Sequence, residues 1–279
     1  MLLDFAGKLA DAASVVTLAR FRQPLLIDDK SADPSSAAES AAAASEPGLF
    51  DPVTEADREA ERVMRTLIEA QYPGHGILGE EFGVKETRDG LTWVLDPIDG
   101  TRAFISGLPL WGTLIALYDG AQQLLGVVDQ PFLGERYTGT IACQNQPAES
   151  RCHSRIAEHV IRTRRCNRLD HAILMSTDPS MFNGRETAAH KTLAEKVRMT
   201  RFGGDCYAYC MLASGHVDLI VESSLETYDI QALIPIVQGA GGIVTDWRGQ
   251  SATDGGQVVA AATPQLHAKA LEVLRTAAL

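Results

Sequence analysis

Apolar side chains recur at Phe5, Leu9, Ala12, Ala13, Val16 and Ala19, the spacing of one helical face, and predict a helix over residues 4–22. The next stretch, SADPSSAAESAAAASEPG at 31–48, carries no large apolar side chain, can bury no face, and reads as a flexible connection. Thr54 then opens TEAD, where a hydroxyl at the cap and a carboxylate three residues on resemble a capping box. That helix runs to about Gln71 and stops at Tyr72-Pro73-Gly74.

Short β-like runs follow at 76–80, 92–96, 113–118, 124–130 and 135–140, with Asp119-Gly120 as a hairpin turn. After an Arg-rich stretch, strand-like and helical patterns alternate. Strands are expected at 171–176, 217–222, 242–246 and 257–262; helices at 185–197, 205–214, 229–239 and after Thr263-Pro264. The first half reads as helices on a mostly antiparallel sheet and the second as α/β layers. The expected units are 1–150 and 151–279, closely joined.

Composition narrows the class. With 279 residues and 45% hydrophobic side chains the chain can build a full core, which excludes a disordered or fibrous protein. A net charge of −11 argues against nonspecific binding to nucleic acid or anionic lipid. No apolar run approaches the roughly 18 residues that span a bilayer, and Asp4 stands where a signal peptide carries positive charge. Five cysteines (Cys143, Cys152, Cys166, Cys206 and Cys210) at irregular spacing read as reduced thiols, so the expected location is cytoplasmic.

The residues that carry chemistry are acidic and lie where strands stop. Glu80 and Glu81 end GILGEE, Asp96 ends TWVLD, and D-P-I-D-G-T follows from Asp96 through Asp99 to Thr101. Two carboxylates three apart around a proline converge if the chain turns sharply, and they repel unless a cation lies between them. Oxygen ligands without His or Cys point to a hard ion, Mg²⁺ before Zn²⁺. Gly100 and Thr101 lead into TRAFIS, a short helix whose first N–H groups would face a phosphate. Together these suggest metal-assisted phosphate ester hydrolysis.

DPVTEAD at 51–57, LGEE at 78–81, WVLDPIDGTRAFISGLP at 93–109 and YDIQALIPIVQGAGGIVTDW at 228–247 together resemble the inositol monophosphatase superfamily, over roughly residues 50–262. RAFISGLPLWGTLIAL, GVVDQPFLGERYTG and FGGDCYAYCMLASGHVDLIVESSLETYD are most similar to its histidinol-phosphate phosphatase branch. The resemblance implies a layered α-β-α-β-α sandwich of the inositol monophosphatase / sugar phosphatase type. It implies two to three Mg²⁺ ions: Glu80, Asp96 and the Ile98 carbonyl at the first, Asp96, Asp99 and Asp229 at the second, and Glu80 with waters at a weaker third. Asp57 and Thr101 would orient and deprotonate the attacking water, and the N–H groups of Gly100 and Thr101 would hold the phosphate. Gln238 departs from the family's usual glutamate, and the stretch after Lys30 lengthens a loop that in the family helps close the site.

Histidinol carries an amine and an imidazole, so its phosphate needs carboxylates at the alcohol end. Asp205, at the start of its helix, and Glu222, at the end of its strand, are the candidates; as alternatives, Asp205 is a helix cap and Glu222 a surface residue. The Arg151–Arg168 run holds six arginines with Cys152, His153, His159 and Cys166 in no zinc spacing, and reads as a solvated, subunit-facing or site-rim segment. The partners expected are a small phosphate monoester and a second copy in a homodimer, with no nucleic acid and no membrane. Inositol or broader sugar and nucleotide monophosphatase activity is the alternative in the same class; a protein- or RNA-binding role is the alternative outside it.

Overall fold

The computed structural model describes residues 2–24, 27–29, 52–141, 152–157 and 159–279. The 31–48 connection, Lys30, Cys143 and Arg151 lie outside the described residues.

Helix α1 (Leu2–Arg20) buries Phe5, Ala6, Leu9, Ala10, Ala13 and Thr17. The stripe is set by small residues that let α1 lie close to its neighbours, so Ala19, expected inside, faces solvent. A short ribbon of β1 (Ile27–Asp29) and β2 (Pro52–Thr54) leads into α2 (Glu55–Gln71). The expected capping box at its start is present: Ala56 N donates to Thr54 Oγ1 (3.1 Å) and Thr54 N to Asp57 Oδ2 (2.8 Å).

The strands β3 (Gly76–Gly79), β4 (Gly83–Lys85), β5 (Thr92–Asp99), β6 (Gly112–Tyr118), β7 (Gln123–Gln130), β8 (Glu135–Ile141), β9 (Cys152–Ile156) and β10 (His159–Ile161) form one sheet. Its order is β10-β9-β8-β7-β6-β5-β3-β4, antiparallel except where β3 runs parallel to β5. Between β5 and β6 stands the five-residue α3 (Thr101–Ile105). The second sheet comprises β11 (Ile173–Ser176), β12 (Met199–Phe202), β13 (Leu219–Leu225), β14 (Ile243–Asp246) and β15 (Gly256–Ala261), in the order β12-β11-β13-β15-β14. Its helices are α4 (Arg185–Ala194), α5 (Asp205–Ala213), α6 (Thr227–Gln231), α7 (Leu233–Gly239) and α8 (Pro264–Leu274).

Alternation along the strands assigns the layers. Trp93, Leu95, Ile115 and Val127 meet α1 and α2. Val94, Leu114, Ala116 and Val128 face the other way, onto α5 and α7, which also cover Ile220, Val258 and Ala260 of the second sheet. Leu219, Val221, Val259 and Ala261 then pack on α4 and α8. The result is the α-β-α-β-α sandwich, and each fully buried large apolar side chain contributes roughly 1.5–3 kcal/mol to holding it.

Three features differ from the sequence reading. The Arg-rich run supplies β9 and β10, so the first sheet extends beyond residue 150 and the second begins only at Ile173. The helix expected over 229–239 is two helices, because Pro235 has no N–H to donate to Gln231 and fits only in the first turn of a new helix. The exposed strand β12 carries no apolar alternation to announce it.

Candidate metal centre

Strand β5 delivers two carboxylates because it bulges. Asp96 pairs with Leu114 and Asp99 with Gly112, so two residues, Pro97 and Ile98, oppose Thr113 alone. Thr113 Oγ1 fills the bulge by donating to Pro97 O at 2.8 Å. Proline is tolerated here because β3 has already ended beside Leu95, leaving no partner strand on that side. Ile98 N donates to Asp96 Oδ1 (3.0 Å), which tightens the turn toward Asp99.

Asp229 arrives from the opposite sheet. It is the third residue of α6, and Glu226 N donates to its Oδ2 at 2.8 Å. Asp57 is held in the same way at the start of α2 by Thr54 N and by Thr54 Oγ1 (2.6 Å). Both carboxylates are thus oriented by the caps of their own helices. Ala56, the neighbour of Asp57, packs with Ile98, Phe104 and Trp111, which sets the start of α2 against the end of β5.

Oxygens of Asp96, Asp99 and Asp229 lie within 4.8 Å of one another. Glu80 follows β3, its N–H donating to Leu95 O (3.3 Å), and its carboxyl comes within hydrogen-bonding range of Asp96. Burial, then Glu80, Asp99 and Asp229, push the Asp96 carboxyl well above the ordinary range. Asp99 rises to about 6, chiefly by burial and against the donation of Cys206 N–H to its Oδ2 at 2.7 Å. Asp229 rises through burial and the nearby Asp99. Carboxylates crowded in a buried place cannot all stay ionised without a counter-charge. Dense oxygen donors with no nitrogen or sulfur ligand fit a hard divalent cation.

Thr101 Oγ1 donates to Ile98 O at 3.1 Å, so the hydroxyl and the carbonyl of the resemblance are neighbours. Gly100 precedes α3 with φ +83°, and Phe104 N donates back to Gly100 O, leaving the first N–H groups of the helix without intrahelical acceptors.

Asp205 is not the helix cap of the alternative reading. Gly204 occupies that position, and Asp205 begins α5 in a left-handed conformation at φ +43°. Burial, then Asp99 and Glu222, raise its carboxyl to about 8, with Arg102 opposing. Glu222 is not a surface residue either, being 2% exposed. Thr177 N (3.0 Å) and Thr177 Oγ1 (2.6 Å) donate to its Oε1, and Tyr209 OH (2.7 Å) to its Oε2. Both oxygens of this candidate for the alcohol end are thus engaged inside the fold. Burial raises it to about 7.

The side chain of Glu81, next to Glu80, turns inward to Arg58, 4.0 Å away. Glu61, which sequence reasoning passed over, is wholly buried beneath the Glu80 turn. Its signal was a carboxylate at an apolar-face position, four residues after Asp57 and three before Met64. The Arg-rich run is structural: Arg164 forks onto Asp218 (2.6 and 2.5 Å), which also accepts from Ile173 N and so fixes the start of β11. Cys206 and Cys210 are core residues. No helix among the described residues is long and apolar enough to cross a membrane.

Comparison with known proteins agrees with this geometry. The model of the inositol monophosphatase family matches residues 2–278. A chloroplast bifunctional phosphatase of Arabidopsis thaliana is 39% identical over 95% of this chain and 72% of its own. A histidinol-phosphatase of Mycobacterium tuberculosis is 35% identical over 92% of each chain. The solved structure of an inositol monophosphatase from Zymomonas mobilis is 39% identical, covers 98% of this chain and 96% of its own, and superposes with a TM-score of 0.79. The chain belongs to the inositol monophosphatase family and is a metal-dependent phosphate-monoester hydrolase.

Proposed function

We propose that the chain is a Mg²⁺-dependent histidinol-phosphate phosphatase, hydrolysing L-histidinol phosphate to L-histidinol and phosphate in histidine biosynthesis. The observation that carries this reading is Asp205, a carboxylate beyond the metal ligands, set beside Asp99 and Glu222 at the start of α5. A site with more negative charge than its metals need suits an alcohol that is itself cationic. The histidinol-phosphatase among its relatives supports the same substrate. The inositol monophosphatase of Zymomonas mobilis, equally similar to the chain as the Arabidopsis relative, favours inositol phosphate as the second reading.

In this proposal Glu80, Asp96 and Ile98 O would hold one ion and Asp96, Asp99 and Asp229 the other; Glu80 would also serve a third. Two such ions, when bound, lower the pKa of water and stabilise the departing alkoxide. The chain's own groups do the rest. Asp57 and Thr101 Oγ1 would orient the attacking water, whose proton would end on the Asp57 carboxylate, and Gly100 and Thr101 N–H would hold the phosphate. Asp205 meets the cationic end of the substrate, and Glu222 supports that wall through Tyr209 and Thr177. A homodimer in the cytoplasm completes the proposal; light scattering on the eluting protein reads its mass.

The test is a side-by-side panel of phosphate monoesters in Mg²⁺. Histidinol phosphate should show the highest kcat/KM; preference for inositol phosphate overturns the substrate assignment.

A further inference from the structure

A wholly buried carboxylate is costly unless every lone pair it presents is used. Glu61, on the inner face of α2, has no solvent exposure, and both of its oxygens accept hydrogen bonds. Arg65 Nε, one turn on, donates to Oε1 at 2.6 Å, and Phe82 N donates to the same oxygen at 3.3 Å. Glu81 N donates to Oε2 at 2.7 Å. Arg65 Nη2 donates onward to Gly83 O. The carboxylate is seated so near the end of β3 that a Cβ on Gly79 would lie 2.0 Å from Oε1.

The Glu61–Arg65 pair therefore touches Gly79, Glu81, Phe82 and Gly83, the residues on either side of Glu80. Glu80 itself is directed elsewhere, its N–H to Leu95 O and its carboxyl toward Asp96. A turn between two short strands has few bonds of its own, since β3 and β4 pair over only three residue pairs. Its shape is imposed from α2, the helix whose first turn also carries Asp57.

The geometry points to Glu61 as a positioning residue for the metal ligand Glu80. It acts through the backbone of Glu81 and Phe82 and touches neither the ion nor the substrate. This rests on the reading of Glu80 as a ligand. The same contact explains why one helix can place both the water-orienting carboxylate and, at one remove, a ligand of the first ion.

The test titrates Mg²⁺ alone into the full-length metal-free protein by calorimetry, for wild type, Glu61→Gln and Glu80→Gln, with thermal melts in EDTA alongside. Glutamine keeps the volume of Glu61 but turns an NH₂ toward donors. Weakened outer-shell support typically costs 10–100-fold in metal affinity, so Glu61→Gln should weaken Mg²⁺ binding about 10-fold. At saturating Mg²⁺ its KM for substrate should stay at the wild-type value. If Glu80→Gln weakens binding while Glu61→Gln does not, the positioning role is wrong even when the EDTA melt falls. If neither variant alters binding, Glu80 is not a ligand and the underlying reading fails. Should Glu61→Gln not fold, Arg65→Lys, which loses the fork onto Gly83 O and keeps the charge, must shift Mg²⁺ affinity in the same direction; no shift overturns the proposal.

Discussion

Gly100 and Asp205 pack together so closely that a Cβ on Gly100 would stand 3.2 Å from both Cβ and Cγ of Asp205. The same added carbon would meet Leu110 O at 3.2 Å, and Gly100 already has φ +83°. In the proposed function these are a residue of the phosphate cradle and the residue at the alcohol end, so the two ends of the substrate would lie against neighbouring residues. A left-handed conformation costs a residue with a Cβ about 1–2 kcal/mol before any crowding. Gly100→Ala should therefore lose at least about that much stability and more than 100-fold in kcat/KM, on every ester alike. Kinetics on a cationic and a neutral ester check it; near-wild-type turnover would separate Gly100 from the cradle.

Asp96 is the carboxylate on which the other three press. Burial and the charges of Glu80, Asp99 and Asp229 all raise it, so the metal-free fold carries repulsion that a cation relieves. Asp96→Asn should leave the melting temperature in EDTA equal to or above that of wild type. The stabilisation that Mg²⁺ gives wild type by mass action should vanish, together with activity. Melts with and without MgCl₂ decide this, and a Mg²⁺-stabilised, active Asp96→Asn protein would refute the shared-ligand arrangement.

Much of this site was legible in the sequence because strand ends and helix caps are local. Asp96, Asp57 and Asp229 are each held by residues within three positions of themselves, and D-P-I-D-G-T, T-E-A-D and T-Y-D-I-Q announce them, whereas Asp99, announced by the first motif, is held by Cys206 N from far along the chain. What escaped depends on partners far along the chain. Glu222 is a candidate for the alcohol end in the sequence, and its engagement inside the fold was not legible there because its three hydrogen bonds come from Thr177 and Tyr209, 45 and 13 residues away. Glu61 was hidden because its partners, Glu81 and Phe82, belong to another element. The split at Ala232 was readable in principle from Pro235, whose ring bars the continuous helix.

Substrate choice separates Asp205 from Glu222. Asp205 begins α5 beside Asp99, Glu222 and Arg102, and in the proposed function it meets the cationic group. A charge-assisted contact is worth roughly 1.5–3 kcal/mol, and Asp205→Asn should lower kcat/KM for histidinol phosphate about 10–150-fold. Glycerol phosphate, which offers no cation, should be hydrolysed at nearly the wild-type rate. Glu222→Gln should instead slow both substrates together, since it loosens Tyr209 and Thr177. Equal losses for Asp205→Asn on both esters would move Asp205 from substrate recognition to support of the fold.

Glu222 also predicts a pH dependence of stability. Burial raises its carboxyl from the ordinary 4.5 to about 7, although Thr177 and Tyr209 donate to it and work the other way. Below pH 4.5 both folded and unfolded chains hold the proton, and the group contributes no difference. Between pH 4.5 and about 7 the unfolded chain releases the proton while the folded one retains it, so the folded state loses stability as pH rises. Above about 7 the loss is complete and constant. Glu222→Gln has no proton to release, and the bonds it forfeits cost the same at every pH. Urea unfolding in EDTA at pH 5, 6, 7 and 8 should therefore show the variant gaining on wild type up to pH 7 and no further. Curves that stay parallel across the whole range would mean that Glu222 titrates as an ordinary glutamate despite its burial.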